Sequence, residues 1–267
     1  MNRLYFLHIP KTAGKFISKG ILDSIPEHSE SLYISTHAPN NKEFLNNKIY
    51  ISAHAGTYIS EIIKDIDVAT VVRHPVAARA SYFNFIYNMY LDTRKEYIDL
   101  TNMREKFLYY LFEDNNFLLH NNYQSRFLCN SSDERSWDRK GFFETHSFDM
   151  LEKYNHGLAF DWFVGNENTS LELAINNISR FSIKNTTDRL DLFLNSISKW
   201  FLLNHNLQIK FNQNDKVNES LSEFNGMRYS SKDLIEMLTE KEISKLIGLN
   251  GIDYAVYNFV KEHESND

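Results

Sequence analysis

The sequence predicts a three-layer α/β domain with a central, mostly parallel sheet and helical insertions. Short apolar runs alternate with amphipathic stretches of helical length, as expected for parallel strands joined by helices. The run over residues 68–72 is nearly continuous in β-branched side chains, which is typical of a strand buried on both faces. Hydrophobic residues make up 42% of the chain, with only 9 Gly and 4 Pro among 267 residues, which excludes a disordered or fibrous protein.

The N-terminal part of the chain predicts most of the sheet. Its first apolar run is short and aromatic-rich, ends at Pro10, and is followed by an amphipathic stretch. Strands are expected over residues 4–9, 32–35, 49–53 and 68–72, and helices over 15–25 and 76–91.

The later part predicts mainly helices. Residues 95–150 have an aromatic, helical pattern and are expected to form a helical insertion, with a strand following over 161–165 and a last helix near 253–260. No repeat, low-complexity tract or linker interrupts the chain. Residues 1–267 are therefore expected to form one domain.

Two capping boxes indicate where helices begin. Thr169 with Glu172 predicts the start of a helix that runs through Ile178, and Thr239 with Glu242 repeats the pattern. In such a box the hydroxyl caps the first turn and the Glu side chain reaches back to the backbone of the cap residue.

Charge and cysteine usage exclude several partner classes. The 35 Asp and Glu outnumber the 29 Lys and Arg, and the basic residues are scattered, so no general attraction to nucleic acid or an anionic membrane is expected. Cys129 is the only cysteine, which excludes an intramolecular disulfide and a Cys-rich zinc site and favours a reducing compartment. Without a signal-like N-terminus or an apolar stretch near about 20 residues, the chain is expected to be cytoplasmic with no integral membrane segment.

The first loop, residues 8–15, lies between a strand and a helix. There the backbone N–H groups and the positive end of the helix dipole converge on a phosphate-sized anion, and Lys11 and Lys15 supply charge. A Walker loop would need a further Gly and a hydroxyl that binds magnesium, but Phe16 occupies the hydroxyl position. The alternative to an anion-binding loop is a surface turn with two solvated lysines.

A second group of polar residues follows the buried strand. Arg73 is expected at the carboxyl end of that strand and Ser81 one to two turns along the next helix. Ligands of open α/β sheets bind at this edge, and an Arg offers phosphate a planar bidentate fork. Two anion sites at adjacent strand ends imply a doubly phosphorylated nucleotide.

These two segments resemble a known family. His8-Ile-Pro-Lys-Thr-Ala-Gly14 is similar to the 5′-phosphosulfate-binding loop of sulfotransferases, and Arg73-His-Pro with Ser81 is similar to their 3′-phosphate-binding motif. The likeness is greatest to the branch of Golgi carbohydrate sulfotransferases and their bacterial relatives. Weaker matches follow in the family's order: Ser52-Ala-His54, Asn122-Tyr-Gln-Ser-Arg126, Phe163-Val-Gly-Asn-Glu167, Val217-Asn218 and Asp253-Tyr-Ala-Val-Tyr257.

The resemblance implies a P-loop-NTPase-like sulfotransferase fold and transfer of a sulfuryl group from 3′-phosphoadenosine-5′-phosphosulfate to a hydroxyl or amine, with no metal. Lys11 would stabilise charge on the leaving bridging oxygen. The residues implied to bind the donor are Pro10, Lys11, Thr12, Ala13, Gly14, Lys15, Phe16, Arg73, Ser81, Arg126 and Asn218.

The resemblance also suggests a general base. His54 follows a predicted strand and corresponds by position to the base of the uronyl branch of the family; a hydrogen-bonded histidine at a strand end is the structural alternative. Glu61 is a reserve candidate, and His8 is expected to pack beside the loop. The sequence departs from the family in having Lys15 in place of a hydroxyl residue, and Arg79 one place beyond the usual arginine, where Ala78 stands.

Two other functions compete with sulfuryl transfer. A nucleotide or small-molecule kinase with a degenerate phosphate loop would need magnesium, and no carboxylate follows a predicted strand as a second metal-binding motif. A non-catalytic nucleotide-binding or scaffold protein could retain the fold.

For the acceptor, the acidic net charge of −6 favours a neutral glycan, a lipid or a small metabolite over a polyanion. The sequence carries no coiled-coil heptads and predicts no oligomeric state.

Overall fold

The computed structural model describes eight stretches of the chain: residues 2–26, 31–34, 45, 47–87, 91–114, 121–131, 168–212 and 221–264. Outside these stretches lie the predicted strand over 161–165, residues 115–120 and 132–150 of the predicted insertion, and Val217 and Asn218.

Five short strands form one sheet in which every neighbouring pair is parallel. The strands are β1 (Leu4–Leu7), β2 (Ser31–Ile34), β3 (Tyr50–Ala53), β4 (Asp67–Val72) and β5 (Ile183–Thr186). Their order across the sheet is β2-β3-β1-β4-β5. The predicted parallel sheet and its first four strands are confirmed. A separate antiparallel hairpin pairs β6 (Ser222–Phe224) with β7 (Met227–Tyr229).

Helices account for most of the remaining described residues. They are α1 (Gly14–Ser24), α2 (Tyr58–Ile62), α3 (Pro75–Ile86), α4 (Lys95–Ile98), α5 (Met103–Phe112), α6 (Tyr123–Cys129), α7 (Leu171–Ser179), α8 (Leu190–His205), α9 (Ser231–Glu236), α10 (Glu240–Leu249) and α11 (Gly251–Glu262). Among the described helices, none is both long and apolar enough to cross a bilayer.

The sheet is covered by helices on both faces. Successive side chains of a strand point to opposite faces, so Leu4 and Phe6 of β1 join one apolar cluster while Tyr5 and Leu7 join the other. The first cluster is filled from α1 and α8, and the second from α2 to α7 and α9 to α11. The chain therefore has the predicted three-layer α/β arrangement.

Strand β5 and helix α8 were not among the elements predicted from the sequence. β5 reads Ile-Lys-Asn-Thr and carries no apolar run, yet Asn185 and Thr186 are fully buried in it. Pairing with β4 completes the edge of the sheet and overrides the weak strand propensity of Lys184 and Asn185.

The cap of α7 differs from the sequence prediction. Thr169 is not the cap residue: Ser170 has an extended backbone, and its hydroxyl accepts a hydrogen bond from the Leu173 N–H at 3.2 Å. The Thr169 hydroxyl oxygen instead accepts a bond from Asn130 Nδ2 at 3.0 Å. Thr and Ser are both favoured cap residues, and the tertiary contact of Thr169 with Asn130 leaves Ser170 as the cap. The second predicted capping box is confirmed, with both of its bonds formed.

Removing the cap of α7 tests this correction. We expect Ser170→Ala to lower the free energy of unfolding by about 1 kcal/mol, because the Leu173 N–H loses its acceptor. Ser179→Ala is the matched control at the other end of the helix, where the hydroxyl is exposed, and should change stability by less than about 0.5 kcal/mol. Urea unfolding measures both, and equal effects would contradict the assignment.

Candidate anion-binding site

The loop that carries Lys11 and the residue Arg73 meet at the switch point of the sheet. After β1 the chain continues to β2 on one side, whereas after β4 it continues to β5 on the other, so the crevice between these two strand ends is the expected ligand site. Helices α1 and α3 begin at Gly14 and Pro75, shortly after β1 and β4. Two helix N-termini, with their partial positive charge, therefore lie at one edge of the sheet.

The loop after β1 has an unusual backbone. Lys11 and Ala13 have φ values of 66° and 67°, in the left-handed region that residues with a Cβ rarely adopt. Each such residue costs about 1–2 kcal/mol. Strain of this kind persists where surrounding contacts hold the backbone, and it is concentrated at functional sites.

Three hydrogen bonds to successive carbonyls hold this loop. The Thr12 hydroxyl donates to the carbonyl of residue 9 at 2.8 Å, the Tyr123 hydroxyl to that of Pro10 at 3.1 Å, and Nη1 of Arg73 to that of Lys11 at 3.2 Å. The donors come from the loop itself, from α6 and from the end of β4. The hydroxyl of Thr12 is thus used within the loop, and only its N–H can serve a ligand.

Gly14 is required because the His8 ring lies against it. A Cβ at position 14 would come within 1.9 Å of Cδ2 and Nε2 of His8. The His8 ring is itself confined between two others, with its centroid 5.6 Å from the Phe6 ring and 4.1 Å from the His54 ring. His8 therefore packs beside the loop, as the sequence predicts, and sets how closely α1 approaches β1.

Three cationic side chains share this edge of the sheet. Lys11 is partly buried, and its Nζ lies 4.5 Å from the centroid of the Phe85 ring. Burial, together with the charges of Lys15 and Arg73, lowers the pKa of Lys11 to about 8. Mutual repulsion of this kind is relieved when an anion binds among the cations.

His54 is held in its neutral form next to the loop. The residue is 7% exposed, and its Nδ1 lies 2.6 Å from the His8 carbonyl oxygen. Because a carbonyl only accepts, Nδ1 carries the proton and Nε2 keeps its lone pair. The pKa of His54 is lowered to about 4: burial is the largest cause, the bond to His8 opposes it, and the charge of Lys15 acts with it. At neutral pH the ring is therefore a base.

The residues of the second motif take different positions. Arg73 directly follows β4, and its guanidinium reaches the Lys11 carbonyl. Ser81 lies about two turns into α3 and is 8% exposed. Arg79 is buried with its guanidinium carbon 5.0 Å from the centroid of the Tyr110 ring, so it packs against α5.

The other predicted residues have different surroundings. The Phe16 side chain belongs to the apolar core and packs on Phe211, which leaves its N–H as the group that a donor could contact. Arg126 is buried on α6. Glu61 is exposed on α2 and accepts a hydrogen bond from the Thr57 hydroxyl at 2.5 Å. Of the two candidate bases, His54 is the one that contacts the loop.

Sequence reasoning missed the residues that support the site. Tyr123 and Gln124 contact the two loops, and Phe85 lies under the Lys11 ammonium group. The weak resemblance of residues 122–126 to the sulfotransferase family was the sequence feature that could have indicated them. It does not show which side chain contacts which loop.

Comparison with models of known protein families gave no match, and comparison with curated proteins gave none. Within the described stretches, no three His, Cys, Asp or Glu side chains are grouped as metal ligands would be.

The contact between His8 and Gly14 is tested by a double-mutant cycle. We expect Gly14→Ala to destabilise the wild-type protein by about 1–3 kcal/mol, because the new methyl group meets the His8 ring. In a His8→Ala background, Gly14→Ala should leave the free energy of unfolding nearly unchanged, since the ring is absent. The two costs are compared by urea unfolding.

Gly248→Ala is the matched control for this cycle. Position 248 opens onto free space in α10, where Ala is the better helix former and should stabilise by up to about 1 kcal/mol. An equal cost of Gly14→Ala in both backgrounds would show that His8 is not the reason for glycine at position 14.

Proposed function

We propose that the protein is a sulfotransferase that moves a sulfuryl group from 3′-phosphoadenosine-5′-phosphosulfate to an acceptor hydroxyl. The observation that carries this proposal is the meeting of the Lys11 loop and Arg73 at the carboxyl ends of two adjacent strands. A nucleotide with phosphate groups at both ends of its ribose fits two cationic groups placed in this way. The sequence resemblance to sulfotransferases in the same two segments supports the assignment.

The loop after β1 is suited to the 5′-phosphosulfate. Gly14, Lys15 and Phe16 form the first turn of α1, where a helix offers no acceptors of its own for the N–H groups. Those N–H groups and the Lys11 ammonium group would hold the anion, and Arg73 with Ser81 would hold the 3′-phosphate. A pKa of about 8 leaves Lys11 mostly protonated at neutral pH, as a cation that stabilises a leaving group must be.

The acceptor side is assigned to His54. Its Nε2 would take the proton from the acceptor hydroxyl as the hydroxyl oxygen forms its bond to sulfur. The bond from sulfur to the bridging phosphate oxygen breaks in the same displacement, and Lys11 neutralises the charge left on that oxygen. A base with a pKa near 4 stays unprotonated through the neutral range.

The same loop argues against magnesium-dependent phosphoryl transfer. In a Walker loop the residue at position 16 would offer a hydroxyl to the metal, whereas Phe16 here is part of the core. The proposal therefore includes donor binding without a divalent cation. A neutral glycan or a small metabolite is the acceptor class we favour.

Calorimetric binding of nucleotides tests the proposed donor. We expect 3′-phosphoadenosine 5′-phosphate to bind more tightly than its isomer ADP and than ATP, with no requirement for magnesium. Arg73→Ala should weaken this binding by about tenfold or more because one charged phosphate contact is lost. Arg180→Ala, an exposed arginine at the end of α7, is the control and should leave affinity unchanged. Preference for ATP with magnesium would favour a kinase, and no nucleotide binding would favour a scaffold protein.

The pH dependence of binding tests the role of Lys11. Bound phosphate raises the pKa of a neighbouring ammonium group, so binding takes up a proton where free Lys11 has lost one. Affinity for 3′-phosphoadenosine 5′-phosphate should fall by about tenfold between pH 7 and 9, through the free pKa of about 8. The phosphate groups, with a second pKa near about 6, stay ionised over this range.

Lys11→Arg is the control for the pH experiment, because the guanidinium stays charged. This variant should bind with little change between pH 7 and 9. The same decline in both proteins would exclude Lys11 as the titrating group.

A further inference from the structure

Gln124 holds the backbone of Arg73 at both of its polar groups. Nε2 of Gln124 donates to the Arg73 carbonyl oxygen at 2.8 Å, and the Arg73 N–H donates to Oε1 of Gln124, also at 2.8 Å. The carboxamide thus bonds to Arg73 as a residue of a neighbouring strand would. Arg73 stands one residue beyond the end of β4, where regular strand pairing has stopped.

Gln124 is itself fixed by a buried carboxylate. Its N–H donates to Oδ2 of Asp253 at 3.2 Å, while Oδ1 of Asp253 accepts from the N–H and the hydroxyl of Ser125 at 2.7 and 2.6 Å. Gln124, Ser125 and Asp253 are each at most 2% exposed. An anion at the start of α6 also interacts favourably with the helix dipole.

The starts of α6 and α11 also cap each other. Oδ1 of Asn122 accepts from the N–H groups of Ile252 and Asp253 at 2.8 and 3.1 Å. In return, Oδ1 of Asn250 accepts from the Asn122 N–H at 3.0 Å. Because these contacts are reciprocal, α11 fixes the position of Gln124, and Gln124 fixes the backbone from which the Arg73 side chain extends.

We propose that Gln124 is a positioning residue that directs Arg73 toward the 3′-phosphate and so sets the preference for 3′-phosphorylated nucleotides. This inference rests on the proposed function. Gln124 acts through Arg73 and makes no contact of its own with the ligand. A small error in the placement of a guanidinium weakens a directional phosphate contact far more than it weakens the fold.

Nucleotide discrimination in Gln124→Met tests this proposal. Met has a similar volume and leaves the core filled, but it forms neither bond to Arg73. The two nucleotides to compare are 3′-phosphoadenosine 5′-phosphate and 5′-AMP, which differ only in the 3′-phosphate. We expect the wild-type preference for the first to fall by about tenfold or more in Gln124→Met, with the affinity for 5′-AMP nearly unchanged.

Ser125→Ala is the matched control, because it removes one buried bond to Asp253 and leaves both bonds between Gln124 and Arg73 in place. It should lose stability in urea yet keep the nucleotide preference. If Gln124→Met does not fold, Gln124→Asn replaces it, since a side chain one methylene shorter cannot reach both backbone atoms.

The outcomes separate the two proposals. A wild-type protein without preference for the 3′-phosphorylated nucleotide would overturn both the proposed donor and this inference. A wild-type preference that Gln124→Met retains, or that Ser125→Ala loses equally, would overturn the role of Gln124 alone and leave the proposed donor standing.

Discussion

The site depends on one constraint: the loop after β1 must keep a left-handed backbone at Lys11 and Ala13, neither of which is glycine. Hydrogen bonds to three successive carbonyls meet this constraint, with donors from the loop, from α6 and from the end of β4. The His8 ring adds a packing limit by excluding any side chain at Gly14. Elements far apart in the sequence therefore fix the geometry of a few residues.

Positive charge is concentrated around this loop. Lys11 is partly buried near two other cations, and both its burial and their charges lower the pKa of its ammonium group. The His54 ring contacts the His8 ring beside this loop, and burial keeps His54 neutral. At neutral pH, Lys11 is protonated and can bind an anion, while His54 is unprotonated and can accept a proton. Both groups are therefore in the protonation state that a single displacement requires. This combination connects the loop geometry to the proposed sulfuryl transfer.

The sequence predicts the parts of this arrangement that depend on local pattern. β-branched and aromatic runs predict four strands, and residues 8–15 and Arg73 are correctly expected at strand ends. Strand β5 is missed because Lys184 and Asn185 interrupt any apolar run, and sheet pairing decides its structure. The cap at Ser170 depends on the contact of Asn130 with Thr169, and the position of Gln124 beside Arg73 depends on Asp253. No local sequence pattern reveals either contact. The tertiary contacts therefore explain both the missed elements and the missed site residues.

The most direct test of the central claim is a crystal structure of the protein with 3′-phosphoadenosine 5′-phosphate. The claim predicts the 5′-phosphate among Lys11 and the first-turn N–H groups of α1, and the 3′-phosphate within hydrogen-bond distance of the Arg73 guanidinium and the Ser81 hydroxyl. It also predicts that the loop keeps its left-handed residues, since the anion site is already formed. A nucleotide bound away from the switch point of the sheet, or with its 3′-phosphate in contact with neither Arg73 nor Ser81, would contradict the account.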